Sequence, residues 1–178
     1  MYLSWEAAAV PGVPAGVPDL QFEPFAESQR GRLMELLERS YVGTLDCAAL
    51  NGRRALGDVV DGYQATGTFR PANWLFVRTQ GRDVGVLLLA EYPAARHWEL
   101  LYMGLVPPVR GRGWGRAIVR HAQSLVSSAG AERMVLAVDA KNLPALAMYR
   151  DAGFMAWDKR TVFVRFASPR GGASGIPG

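Results

Sequence analysis

The segment Val109 to Arg120, VRGRGWGRAIVR, constrains this chain more than any other, because it places three glycines and four arginines where an extended apolar run turns into a helix. Upstream, Trp98 to Val106 (WELLYMGLV) reads as a strand. Downstream, Ile118, Val119, Ala122, Leu125 and Val126 recur at helical spacing. Gly111, Gly113 and Gly115 therefore fall in the strand-to-helix turn. Glycine lets the backbone bend there and approach a ligand closely, so that unpaired N–H groups at the helix start can face phosphate oxygens. Arg110, Arg112, Arg116 and Arg120 add positive charge at the same turn. A tight connection without a ligand is the alternative for such a loop. The spacing is not GxGxxG and no GK[ST] follows, so neither a dinucleotide fold nor a P-loop is indicated.

A second segment narrows the reading. Asn142 to Phe154, NLPALAMYRDAGF, sets Asn142, Ala145, Tyr149, Gly153 and Phe154 at fixed intervals. Arg110-x-x-Gly113-x-Gly115 followed by NxxAxxxYxxxGF resembles the acetyl-coenzyme A signature of the GNAT acetyltransferase superfamily. The resemblance covers residues 73 to 166 well and residues 19 to 72 loosely. It implies an α/β (α+β) GNAT fold: a mixed, mostly antiparallel sheet of six to seven strands, flanked by about four helices, with a splayed strand pair holding the cofactor.

With 178 residues, 49% apolar and 20% charged, the chain suits one globular domain. No apolar run reaches the eighteen or so residues needed to span a bilayer, and MYLSWEAAAV lacks the basic start of a secretory signal. A cytoplasmic protein with no membrane partner is expected. One cysteine, Cys47, excludes an internal disulfide and a zinc cluster, and is read as a small half-buried apolar residue rather than a catalytic thiol. No metal site is expected, since His97 and His121 show no ligand spacing. Only Lys141 and Lys159 are lysines, so the basic excess is carried by arginine. Without a nucleic-acid module or a basic stripe elsewhere, the cluster at 110–120 does not imply nucleic acid.

Residues 1–18, with VPGVPAGVP, read as an extended, flexible leader, so the domain is expected over 19–167 and the tail 168–178 to be disordered. Leu20 to Phe25 suits a short strand. Glu27 to Ser40 and Asp58 to Ala65 suit two helices. Trp74–Thr79, Val84–Glu91 and Trp98–Val106 read as consecutive antiparallel strands, the first pair joined at Gln80-Gly81-Arg82. A helix over 114–129, a strand over 133–140, a helix over 144–152 and one or two strands within 155–166 complete the succession. Gly104 marks either a bulge that starts the splay or a packing accommodation.

The resemblance also assigns roles. Leu105, Val106, Arg110, Gly111, Arg112, Gly113, Trp114, Gly115, Arg116, Asn142 and Tyr149 would hold acetyl-CoA, the cosubstrate. Backbone N–H groups near Leu105 would meet the oxyanion. Trp114 departs from the small residue common in this loop; it would stack on adenine or lie on the surface. Asn142 bonds the cofactor arm, caps the following helix, or does both. Tyr149 is the general acid for the departing thiolate, or a packed helix tyrosine. An alkyl ammonium has a pKa of about 10 and must lose a proton before it attacks. Glu99, eleven residues before Arg110, holds the position of a catalytic glutamate in some relatives. Strand alternation sets it on one face with Leu101 and Met103, where apolar surroundings would raise its pKa. A surface carboxylate is its alternative, and Glu91 is the reserve base. Tyr41 and Asp46, in or beside the loop Ser40–Leu50, are candidate contacts to the acceptor, a small-molecule or peptide amine. The expected activity is N-acetyl transfer by direct attack in a ternary complex. A non-catalytic acetyl-CoA sensor is the rival, and a homodimer through the C-terminal strands is a habit of the family.

Overall fold

Residues 74–77 and 86–89 alternate between two apolar sets, and that alternation dictates a sheet covered on both faces. The computed structural model describes residues 1–7, 20–48, 52–161 and 163. Strands β3 (Trp74–Thr79) and β4 (Arg82–Tyr92) send Trp74, Phe76, Val86 and Leu88 into one core and Leu75, Val77, Leu87 and Leu89 into another. The first core is closed by α1 (Arg30–Tyr41) through Leu33, Leu36 and Leu37, and by Val60 of α2 (Leu56–Gln64). The second is closed by α3 (Trp114–Ser128) and α4 (Leu143–Asp151), with Ile118, Ala122, Val126 and Leu146 inward. Each such aliphatic side chain contributes about 1.5–3 kcal/mol on burial.

Among the described residues the sheet has seven strands in the order β2-β3-β4-β5-β6-β1-β7, with β2 (Gln21–Pro24), β5 (His97–Leu105), β6 (Arg133–Ala137), β1 (Tyr2–Glu6) and β7 (Met155–Asp158). All pairs are antiparallel except β5 with β6. The mixed α/β architecture with four α-helices is the expected one.

The flexible leader is corrected for its first residues. Tyr2–Glu6 form a strand inside the sheet, between β6 and β7. Leu3 and Trp5 are buried at period two and Trp5 packs on Phe154, whereas Glu6 is exposed. The remainder of the leader and the tail 168–178 lie outside the described residues. Of the one or two strands expected within 155–166, β7 accounts for Met155–Asp158. The Gln80–Gly81 hairpin has positive φ at both residues, as a tight connection of right-twisted strands requires. Glu27–Gln29 is a 3-10 turn leading into α1, shorter at its start than the sequence suggested.

The decisive irregularity lies in β5. Leu88 faces Tyr102 but Leu89 faces Leu100, so Leu101 is an extra residue in the ladder, a β-bulge. Beside it, β5 and β6 part: they pair only over His97–Leu100 and Arg133–Leu136. The splay therefore starts at Leu101 and not at Gly104. Gly104 serves packing, since a Cβ there would meet the Tyr102 hydroxyl at 2.4 Å.

Candidate functional site

Where β5 leaves β6, a cavity of about 820 Å³ opens. Its walls come from Leu100–Leu105 of β5, the glycine-rich loop, α4, Ser40 in the last turn of α1, and Gly43–Asp46 in the loop that follows. On this side β5 has no partner strand beyond Leu100 among the described residues, which leaves a strand edge able to pair with an extended ligand.

The loop between β5 and α3 owes its course to glycine. Gly111 and Gly113 have φ of 74° and 80°, in the left-handed region that side chains disfavour. Gly113 is the N-cap of α3 and offers no side-chain cap. Arg110 N donates to Pro107 O at 3.2 Å and Arg116 N to Gly113 O at 3.1 Å. Between them, no described residue accepts from the N–H groups of Gly111 through Gly115. A helix start with unsatisfied donors and positive charge beside it has the electrostatics that favour an anion.

The arginines are unequally available. The Arg110 guanidinium donates to Leu105 O at 2.9 Å, Ser40 O at 2.8 Å and Gly43 O at 3.3 Å. Arg112 donates to Pro108 O at 3.2 Å and Arg116 pairs with Asp151. Arg120 bonds Gln123 Oε1 and the carbonyls of Asp151 and Ala152.

Of the residues singled out in the sequence, Asp46, Leu105, Arg110, Gly111, Gly113, Gly115, Arg116, Asn142 and Tyr149 line the one cavity. Val106, Arg112, Trp114, Tyr41 and Glu99 do not. Val106 is buried and its N–H donates to Val84 O at 2.9 Å, so it is taken up by the ladder. Trp114 is neither on the surface nor poised to stack on a ligand: its indole is buried in the core under α3, because the helix begins with it. Tyr41 packs edge-on against Tyr102 and its hydroxyl lies 3.3 Å from that of Tyr63. Burial raises the pKa of all three phenols.

Tyr149 is almost wholly buried, stacked edge-on with Phe154, and it borders the cavity. Burial first, and the Asp46 charge second, push its phenol far above 10. Asn142 caps α4, its Oδ1 accepting from Ala145 N at 3.3 Å, and it also reaches the cavity. Asp46 Oδ1 accepts from Asp139 N at 2.6 Å. Desolvation raises the Asp46 carboxyl above the ordinary aspartate range, against the lowering effect of that bond. Cys47 departs from expectation: it is exposed, with φ of 45°. Its sulfur and the carboxylates of Asp46 and Asp139 lie within 4.8 Å of one another.

The bulge also changes the neighbours of Glu99. Leu101 and Tyr102 both face the α1 side and Met103 the α3 side, so Glu99 shares a face with Leu101 but not with Met103. Its carboxylate accepts from the Tyr92 hydroxyl at 3.0 Å. Glu91 is held by Arg70 at 3.0 Å and Asn73 at 2.7 Å. Sequence reasoning missed Tyr102, Met103 and Met148 as cavity residues. Their only signal was adjacency to the two motifs. Among the described residues no helix is long and apolar enough to cross a membrane.

Comparison with known proteins bears on the family and the fold. The chain is 31% identical over 100 residues to the mycothiol acetyltransferase of Arthrobacter sp. (strain FB24), a match covering 53% of this chain and 31% of that protein. With the mycothiol acetyltransferase of Corynebacterium glutamicum (strain R) it shares 35% over 93 residues, 46% of this chain and 32% of the relative. It thus spans about a third of the length of these relatives. A GCN5-related N-acetyltransferase from Sphaerobacter thermophilus superposes with a TM-score of 0.68 at 22% identity, over 86% of this chain and 47% of that one. An aminoglycoside acetyltransferase from an uncultured soil metagenomic sample superposes with a TM-score of 0.60 at 13% identity, over 84% and 97%. At such identities the likeness is one of fold. The sequence profile of the "Acetyltransferase (GNAT) family" matches residues 26–154, and the chain belongs to that family.

Proposed function

We propose that this protein is an N-acetyltransferase that moves an acetyl group from acetyl-CoA to a primary amine by direct attack in a ternary complex. The observation that carries this reading is the cavity itself. It brings together glycine-loop residues whose N–H groups have no acceptor among the described residues, the unpaired edge of β5, and the Tyr149 phenol. The N–H groups of Gly111–Gly115, with Arg112 and Arg116 beside them, suit the pyrophosphate. The β5 edge suits the amides of the pantetheine arm, and a free N–H of that edge suits the oxyanion.

The amine nitrogen bonds to the thioester carbon and the carbon–sulfur bond breaks; the proton that the nitrogen sheds after attack balances the one that the thiolate takes up, and the ammonium's first proton must pass to a base before attack. Glu99 takes that proton through water. Its support is its place on the same face as Leu101, which lines the cavity. Tyr149 remains a phenol throughout the physiological range, because burial disfavours its anion. It gives its proton to the departing thiolate as the carbon–sulfur bond breaks, and is reprotonated through solvent by the proton that the nitrogen sheds. The relatives' name makes mycothiol-related amines the first acceptors to assay, ahead of amino sugars and peptides.

The test is release of free thiol from acetyl-CoA in the presence of a panel of such amines. Turnover with one or more small amines is expected. Tight acetyl-CoA binding with no turnover across the panel would instead make the chain a sensor, and absence of binding would remove the cradle altogether.

A further inference from the structure

The Arg110 guanidinium joins three elements that are far apart in sequence. Leu105 O ends β5, Ser40 O lies in the last turn of α1, and Gly43 O lies in the loop that follows. Carbonyls in the last turn of a helix have no intrahelical donor, and a cation there also complements the negative end of the helix dipole. Residue 110 therefore caps α1 from 70 positions away. The planar fork of an arginine can reach several acceptors at once; a lysine acts as a point charge.

The same loop has a second foot. Asp46 Oδ1 accepts from Asp139 N at 2.6 Å, and Asp139 follows β6, on the far side of the splay. Between the two feet the loop is bonded to itself, through Thr44 N to Tyr41 O at 3.0 Å and Asp46 N to Thr44 Oγ1 at 3.1 Å. A third tie is the 2.8 Å contact of the Ser40 hydroxyl with that of Tyr102, next to the bulge. The loop thus bridges both strands that bound the cleft.

We propose that Arg110 is a positioning residue: with Asp46 it pins the 42–48 loop across the β5–β6 gap, so that the phosphate loop sets the acceptor-side wall. This rests on the cofactor reading of the cleft given above. A ligand seated between β5 and β6 holds both anchors at their proper separation. Acetyl-CoA binding then stiffens the 42–48 loop, and the acceptor wall is completed only after the donor has entered. Arg110 acts here through the loop and not through the phosphates, because each of its three side-chain nitrogens already donates to a carbonyl of β5, α1 or the loop.

Hydrogen exchange in the 41–48 peptide, with and without saturating acetyl-CoA, reads the pin directly, and calorimetry reads cofactor affinity. Losing charge-assisted bonds of this kind should speed loop exchange in Arg110→Met by ~10-fold or more, with acetyl-CoA affinity kept within about threefold. The slowing that acetyl-CoA imposes on the loop of the parent should vanish in the variant. Arg110→Lys restores charge but not the fork, and should exchange as fast as Arg110→Met. Unchanged loop exchange in Arg110→Met would overturn the proposal. So would a tenfold or larger loss of acetyl-CoA affinity that Arg110→Lys recovers, the mark of a phosphate ligand on the scale of ~1.4 kcal/mol per decade. Should Arg110→Met fail to fold, Asp46→Ala removes the other foot and carries the same expectation and the same refutation. If the parent binds no acetyl-CoA, the cofactor reading falls, while ligand-free exchange still decides whether the loop is pinned.

Discussion

Two groups of arginines in this molecule meet opposite fates. Arg32 and Arg78 face Glu23 and Asp83 in a closed network, with contacts from 2.5 to 3.1 Å, and Arg32 also lies 3.9 Å from the centre of the Phe76 ring. Two cations there meet two carboxylates. Among Arg110, Arg112, Arg116 and Arg120, one carboxylate, Asp151, pairs with one guanidinium, and the other three donate to neutral oxygens. The first group ties β2, α1 and the β3–β4 hairpin together and leaves no field. The second retains its positive charge beside backbone donors that have no acceptor among the described residues. An arginine count does not distinguish structure from binding; the balance of nearby carboxylates does.

The comparison is broken most strongly at the glycine loop. Gly113→Asp adds a carboxylate where open space surrounds the Cβ position. Two like charges a few ångströms apart cost about 3 to 4 kcal/mol at intermediate dielectric, so acetyl-CoA affinity should fall ~10²- to 10³-fold. Calorimetry on a folded variant with unchanged affinity would show that this charge excess serves no phosphate.

Tyr149→Phe should lower turnover by ~10²-fold, the lower part of the range for acid–base groups, with acetyl-CoA affinity nearly intact. The lower part is expected because burial makes the phenol a weak acid. Steady-state rates equal to the parent would reduce Tyr149 to a packing residue against Phe154.

Glu99→Gln should slow the reaction near neutral pH by ~10-fold and recover part of the loss at higher pH, where more amine is already neutral. Identical pH profiles in parent and variant would move the base to a carboxylate that lines the cavity, Asp46 first.

The smallest effect is expected in the neutralised network. Arg32 holds Glu23 down to about 2 from 4.5, and it also lowers Asp83. Folded pKa values below the unfolded ones give stability that is fully present above about pH 4.5 and is lost as pH falls toward about 2. Arg32→Met should flatten that acid limb and lower Tm near neutrality by about 3 °C. Its acetyl-CoA affinity should not change. A thermal shift series across pH 2–6 in which the variant keeps the parent's slope would contradict the linkage.

How much of this was legible beforehand depended on whether a pattern ran long enough to average out local exceptions. Residues 74–77 and 86–89 each alternate strictly between the two cores, and the hairpin between them is legible with its turn in place. Tyr2–Glu6 carries only two inward residues, Leu3 and Trp5, and the prolines that follow outweighed so short a signal. The Leu101 bulge inserts one residue with no glycine to mark it, which is why Glu99 and Met103 were assigned to one face. Trp114 falls both among the loop glycines and at the first position of the expected 114–129 helix, and spacing alone does not tell that the helix turns its ring into the core. Gly113, Asn142 and Tyr149 came together in one cavity because both motifs sit at helix starts or on helix faces, where spacing translates directly into geometry.

The place of β1 has a kinetic consequence. Met1 and Val138, 137 positions apart, are joined by a 2.8 Å bond at the head of the β1–β6 ladder. Closing so long a loop costs entropy that local pairs such as β3–β4 do not face, and non-local pairings of this kind slow folding. The first strand must therefore wait for residues 133–158 before it has edges to join. Until it docks, the facing edges of β6 and β7 offer unpaired backbone to other chains, a known route to aggregation. Refolding yield, more than final stability, should be the property most sensitive to changes in residues 2–6.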